Sequence, residues 1–274
     1  MIPVLSIAKL RVDAEAYYLG LVVQGADEYY SEAGEVPGRW VGAGIEALGL
    51  SGQVGGEDLR VMLAGRHSQT GETLCRSPRS VPGFDLTFSA PKSVSVLFAL
   101  ANRDLALRVV AAHDVAVQAA LGYLEREACM VRRGHAGARQ IQADGLAGAA
   151  FRHRTSRAGD PQLHTHVLVA NLARGADGAW SALDARLIYR QLRTAGYLYQ
   201  AQLRYELSSR LGLAWGSVVR GSAELEGIRK PVLRAFSQRR VEIEEAMAQH
   251  GATTRQGAQI ATLATRRPKD HDVY

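Results

Sequence analysis

From Gly83 to Ser89 the chain alternates without a break. Phe84, Leu86 and Phe88 fall on one face of an extended segment, and Asp85, Thr87 and Ser89 on the other. Alternation with period two predicts a half-buried β-strand. Pro91 follows at once and suits the first turn of a helix continuing through KSVSVLFAL. Over 103–128 the period becomes helical, giving a long amphipathic helix with few breakers. Residues 3–10, 129–133, 145–154 and 162–173 read as strands, and 57–64 as a short helix. Residues 13–32 read as short helices carrying two tyrosine pairs. After Trp180 the character changes: 184–211 predicts a helix in which arginines and tyrosines interleave. Short strands near 213–228 and helices at 230–250 and 254–266 complete the pattern. It predicts an α+β core over 1–230 and a helical C-terminal segment over 231–274, with no internal repeat or low-complexity linker.

Within that pattern, FRHRTSRAGDPQLHTHVLVAN reads as two strands joined by a tight polar loop. Gly159 and Pro161 suit the reversal. His164 and His166 are two apart on a strand and share a face, and folding back brings His153 opposite them. Three imidazoles on one sheet face make a site for a divalent metal with open positions; the plainer alternative is three unrelated strand histidines. Three imidazoles favour zinc, manganese or nickel, whereas magnesium would need oxygen atoms from water or phosphate to complete its shell. Asp85 lies on the polar face of its strand. It is either a solvated surface aspartate or a carboxylate that orients a metal-bound histidine or accepts a proton.

Composition adds a partner class. The chain has 274 residues, 47% hydrophobic and 22% charged, as expected of a globular protein. Its net charge is +6, and all but four of its 33 basic residues are arginine, the exceptions being Lys9, Lys92, Lys230 and Lys269. Arginine's planar fork grips phosphates and stacks on bases, so a polyanionic partner fits. Cys75 and Cys129 form neither a CxxC motif nor a disulfide framework, and a reducing cytoplasm is the expected compartment. No signal peptide and no membrane span are expected. Neither GxSxG nor GxxxxGK[ST] occurs, so serine-hydrolase chemistry and P-loop ATP hydrolysis are not expected.

The pairs Tyr17–Tyr18 and Tyr29–Tyr30 sit among Glu15, Asp27, Glu28 and Glu32, which is unusual for core aromatics. A tyrosine hydroxyl with a pKa near about 10 is a weak nucleophile at neutral pH, but a metal and a carboxylate nearby make attack on phosphorus feasible.

The blocks YY…GADEYY, RWVGAGIEALGLSG, GFDLTFSAPKSVSVL, FRHRTSR…DPQLHTHVLVAN and DG.WSALD, in that order, resemble the relaxase domain of the TrwC/TraI-type (MobF) conjugative relaxases of the HUH endonuclease superfamily. The resemblance covers most of the chain. It implies a palm built on a central antiparallel sheet flanked by helices, with the C-terminal helices closing over DNA. It implies a metal-dependent DNA relaxase that nicks one strand at a plasmid origin of transfer. A tyrosine would attack to leave a 5′-phosphotyrosyl link, which can be rejoined without ATP. His153, His164 and His166 would hold the ion, Mg2+ or Mn2+ by resemblance, with Zn2+ or Ni2+ compatible with the ligands. Asp85 would assist. Tyr17 would make the first cut and Tyr29 the second transfer, with Tyr18 and Tyr30 as their pair partners; the LGLVVQG spacer between the pairs is longer than usual in the family. Arg76, Arg79, Lys92, Arg152 and Arg154 are the expected DNA contacts, with Arg152 and Arg154 facing away from His153. The implied partners are an origin hairpin with its adjacent single strand, accessory relaxosome proteins and a coupling protein, bound by a monomer. Family members often continue into a helicase domain. The rivals are a rolling-circle initiator or transposase of the same superfamily, a metallohydrolase using activated water, and an inactive origin-binding module.

Overall fold

The computed structural model describes residues 4–11, 38–75, 80–156 and 158–249. Its centre is a five-stranded sheet in the order β1-β3-β7-β6-β2, antiparallel throughout. The strands are β1 (Leu5–Lys9), β2 (Arg39–Val41), β3 (Gly83–Ser89), β6 (Gly148–Thr155) and β7 (Pro161–Ala170). The α+β class and the antiparallel sheet are as expected. Two small ribbons accompany it: β4 (Met130–Arg133), the strand expected at 129–133, pairs with β5 (Arg139–Gln142), and β8 (Ala173–Arg174) pairs with β9 (Trp180–Ser181); β5 and β9 were not expected.

Each face of the sheet has its own cover. Phe84, Leu86 and Phe88 point to one side, as their alternation requires. Leu86, Phe88, Ala150, Leu163 and Val167 pack there in a core shared with α3 (Arg103–Ala128) and α4 (Ala185–Leu211). The buried stripe of α3 is mostly alanine and valine, which lets the helix lie close to the strands. Asn102 caps its start by accepting a hydrogen bond from the Leu105 amide at 3.0 Å. Among the described residues, α3 is the one helix long and apolar enough to cross a membrane by length and composition. Here its apolar stripe is buried in the core instead. Gly196 lets α4 press onto β1, because a Cβ there would lie 3.2 Å from that of Leu5. Burying a side chain such as Phe88 stabilises the fold by roughly 1.5–3 kcal/mol.

The opposite face is covered at one end only. The 3-10 turn Ala43–Leu48 and the short helix α1 (Gly56–Ala64) pack with Ala149, Phe151, Leu168 and Ala170 into a second core. Gly42 makes the approach possible: its φ is +94°, and a Cβ would lie 2.1 Å from the Leu146 carbonyl. The same face continues towards the β6–β7 hairpin, where it becomes polar.

The helix α2 (Lys92–Leu100) follows β3 directly, as Pro91 predicts. Two expectations need correction. The region 213–228 forms only isolated bridges, Trp215 with Leu225 and Val219 with Ser222, in place of strands. The helix expected at 230–250 is two, α5 (Lys230–Ala235) and α6 (Gln238–Gln249), broken where Phe236 leaves helical geometry. The helices expected at 13–32 and 254–266 lie outside the described residues.

Candidate metal centre

Strand register assembles the site. His153 pairs directly with His164 across β6–β7, and Ser89 pairs with His164 across β3–β7. The next row on that face is Thr87, His166 and Phe151, and the third is Asp85, Leu168 and Ala149. Directly paired residues share a face, so all three histidines project from one side and Asp85 sits diagonally behind His166.

The three imidazole centres form a near-equilateral triangle: 5.1 Å from His153 to His164, 5.3 Å from His153 to His166 and 5.2 Å from His164 to His166. With metal–nitrogen bonds of about 2.0–2.1 Å, each ring centre lies about 3.2 Å from a shared ion, and two rings at a tetrahedral angle are then about 5.2 Å apart. The ring positions fit that requirement. Among the described residues no group of three or more His, Cys, Asp or Glu side chains stands, with its present rotamers, where it could hold a metal ion. The fit is therefore one of ring placement, fixed by backbone register, with the last adjustment left to side-chain rotation.

The outer nitrogens are held. His166 Nδ1 donates to both carboxylate oxygens of Asp85, at 2.9 Å each. Thr87 Oγ1 donates to Asp85 Oδ1 at 3.3 Å. His164 Nδ1 donates to the Gln162 carbonyl at 2.8 Å. Both rings thus carry their proton on Nδ1 and present the Nε2 lone pair for ligation. Asp85 is 6% exposed, so the solvated alternative is excluded.

Behind the triangle lies a buried relay that sequence reading missed. Thr165, the middle residue of H-x-H, points to the helix side. His113 Nε2 and Thr165 Oγ1 are 2.8 Å apart, and His113 Nδ1 lies 2.8 Å from the Tyr199 hydroxyl. Complete burial, followed by Arg152, His164 and Arg39, lowers the His113 pKa to about 3. The available signal was a lone histidine in the alanine-rich stripe of α3.

The expected DNA contacts divide. Arg154 is exposed, its guanidinium 5.2 Å from the Phe98 ring centre. Arg152 is corrected: its Nη1 donates to Asp114 at 2.8 Å, and Arg39 joins the same carboxylate at 3.3 Å, so the guanidinium ties β6 to α3. Lys92 is corrected too: its Nζ donates to the carbonyls of Pro161 and Phe236, at 2.9 Å each. Burial lowers its pKa, against opposing pulls from Asp160 and Glu224. Both cations are engaged with partners inside the fold. Tyr17, Tyr18, Tyr29, Tyr30, Arg76 and Arg79 lie outside the described residues.

Comparison with known proteins now decides the family. Residues 11–273 match the model of the TrwC relaxase family. The chain belongs to that family. It is 35% identical over 280 residues to the multifunctional conjugation protein TraI of Escherichia coli; the match covers 97% of this chain and 15% of that protein. The relaxase domain described here thus corresponds to a small part of the TraI chain. Among solved structures, the conjugative relaxase TrwC with oriT DNA in a copper-bound form superposes with a TM-score of 0.85 at 34% identity, covering 97% of this chain and 92% of that one. TrwC with a 27-mer DNA comprising the recognition hairpin and the cleavage site gives 0.83 at 31% identity, covering 97% and 91%. These likenesses extend the shared fold over almost the whole relaxase domain.

Proposed function

We propose that this chain nicks one DNA strand at a plasmid origin of transfer and transfers that strand to a tyrosine, starting conjugative transfer. The observation that carries the reading is the imidazole triangle backed by Asp85, in a fold shared with TrwC bound to oriT DNA and to metal.

His153, His164 and His166 would hold a divalent ion through their ring nitrogens. When bound, such an ion withdraws charge from a phosphate's non-bridging oxygens. Asp85 holds the His166 ring in the ligating tautomer and balances its partial charge. Because both carboxylate oxygens already accept from His166, orientation suits Asp85 better than proton transfer. Tyr17 is assigned the first attack: its hydroxyl oxygen gives up its proton and bonds to phosphorus, the bond from phosphorus to the 3′-oxygen breaks, and that oxygen takes up a proton to become the 3′-hydroxyl. Tyr29 is assigned the second transfer, with Tyr18 and Tyr30 as their pair partners. Arg154, Arg76 and Arg79 are assigned to the DNA. Mg2+ or Mn2+ is the assigned ion. Accessory relaxosome proteins, a coupling protein, a monomeric state and a cytoplasmic setting complete the proposal.

The test is to incubate the protein with oligonucleotides spanning the plasmid's origin, with and without Mn2+ or Mg2+, and resolve the products on a denaturing gel. A metal-dependent protein–DNA adduct is expected, abolished in Tyr17→Phe and in His164→Ala. Cleavage without an adduct would instead assign the site to a metallohydrolase using water.

A further inference from the structure

The sheet face opposite the histidines carries a row that the helices hold. Phe88, Thr165 and Arg152 are paired across β3, β7 and β6 and point to the helix side. The row interleaves with the candidate ligands: Arg152 precedes His153, and Thr165 stands between His164 and His166. Two successive residues of α3 take hold of it. Asp114 receives Arg152 of β6 at 2.8 Å, and His113 Nε2 meets the Thr165 hydroxyl of β7 at 2.8 Å. Tyr199 of α4 holds the His113 ring from behind. Its hydroxyl lies 2.8 Å from His113 Nδ1, and the two rings meet edge-on with centroids 5.6 Å apart. The Tyr199 ring also packs on Phe88 of β3, at 5.5 Å between centroids.

Thr165, His113 and Tyr199 are all buried, at 1% exposure or less. Burial keeps the His113 ring neutral, with one N–H and one lone pair, so one hydroxyl accepts from it and the other donates to it. Polar groups withdrawn from water cost free energy that apolar side chains at the same places would avoid. Apolar packing is non-directional, however, whereas a hydrogen bond fixes direction as well as distance. What this chain fixes is β7 at the residue between two candidate ligands. The reference is the same helix that holds β6 beside the third. We propose that Thr165, His113 and Tyr199 form a positioning network that presets the imidazole triangle for its ion. None of the three touches the ion, because they lie on the far side of the sheet from the histidines. The inference rests on the metal site of the proposed function and adds to it the residues that set its affinity.

A positioning network and a purely structural one differ in what they predict. Losing a structural contact lowers stability and leaves the metal affinity of the folded protein alone. Losing a positioning contact weakens the ion's binding itself. The experiment is calorimetric titration of the DNA-free protein with Ni2+, which such a site holds more tightly than Mn2+, beside urea unfolding of the same proteins without metal. His164→Ala supplies the background. Thr165→Val keeps the branched shape and removes the hydroxyl, and Tyr199→Phe keeps the ring contacts and removes the outer bond. Each is expected to raise the Kd for Ni2+ about tenfold, the lower end of what groups that support metal ligands contribute. Thr165→Ser restores the hydroxyl and should bring Kd back to within about threefold of wild type. Val117→Ala, in the same buried stripe of α3, should lower the urea midpoint with Kd unchanged. Tyr199→Phe carries the test if Thr165→Val fails to fold. Unchanged Kd in folded Thr165→Val or Tyr199→Phe overturns the network, and so does a Kd that rises as far in Val117→Ala. A wild type that binds Ni2+ no more tightly than His164→Ala overturns the metal site of the proposed function, and the network's role with it. A wild type that binds, with variants that match it, overturns the network alone.

Discussion

His113 makes the stability of this domain depend on pH in a way that can be worked from its surroundings. The ring is fully buried between Tyr199 and Thr165, and its pKa falls from 6.5 to about 3. The unfolded chain takes up a proton there below pH 6.5, while the folded chain refuses it until about pH 3. Between those values the unfolded state binds more protons, so stability falls as pH falls. The contribution is fully present above pH 6.5. Each pH unit inside the window costs about 1.4 kcal/mol. Lowering the pH from about 8 to about 5 therefore removes about 2 kcal/mol, and crossing the whole window about 5 kcal/mol. The assay is urea unfolding of wild type and of His113→Gln at several pH values. Glutamine keeps a donor and an acceptor but does not titrate, so the difference between the proteins isolates the ring, and groups common to both cancel. That difference should shrink by about 2 kcal/mol between about pH 8 and about pH 5. A difference that stays flat within about 0.5 kcal/mol would refute the reasoning, because His113 would then titrate alike in both states.

Asp85→Asn keeps one acceptor for His166 Nδ1 but removes the charge; single-turnover adduct formation should slow about 10–100-fold with DNA affinity nearly unchanged in filter binding. Lost affinity would assign Asp85 to architecture instead. The two arginines flanking His153 should separate: Arg154→Ala lowers the salt slope of DNA binding by about one. Arg152→Ala leaves that slope alone and costs about 1–2 kcal/mol in urea unfolding, since Asp114 then keeps only the more distant Arg39. Equal salt slopes for the two variants would contradict the split.

Much of the site was legible because strand geometry is periodic. A spacing of two puts His164 and His166 on one face whatever the fold, and Gly159 with Pro161 marks the reversal that returns His153 to them. The parity of GFDLTFS puts Asp85 on the polar face of its strand. That His166 is its partner depends on β3 lying beside β7 with Thr87 opposite His166, a long-range pairing with no local signal. β2 and β5 are too short for alternation to be seen. The helix expected at 230–250 has good local periodicity, and it breaks where Lys92 takes the Phe236 carbonyl and Asp160 the Gln238 amide.

The sequence by itself determined the alternating and helical periods, the H-x-H spacing, the arginine-rich charge and, through its ordered blocks, the family. Those are properties of neighbours along the chain, where side-chain direction follows from backbone geometry. Only the tertiary structure decided which charges are spent inside the fold. Arg152 and Arg154 are both arginines two residues apart, yet one is half-buried on Asp114 and the other is exposed over Phe98. Lys92, His113 and Asp160 each have a partner between 52 and 144 residues away. A charge is committed by whatever the fold brings within about 3 Å of it, and that distance is set by packing, not by sequence spacing.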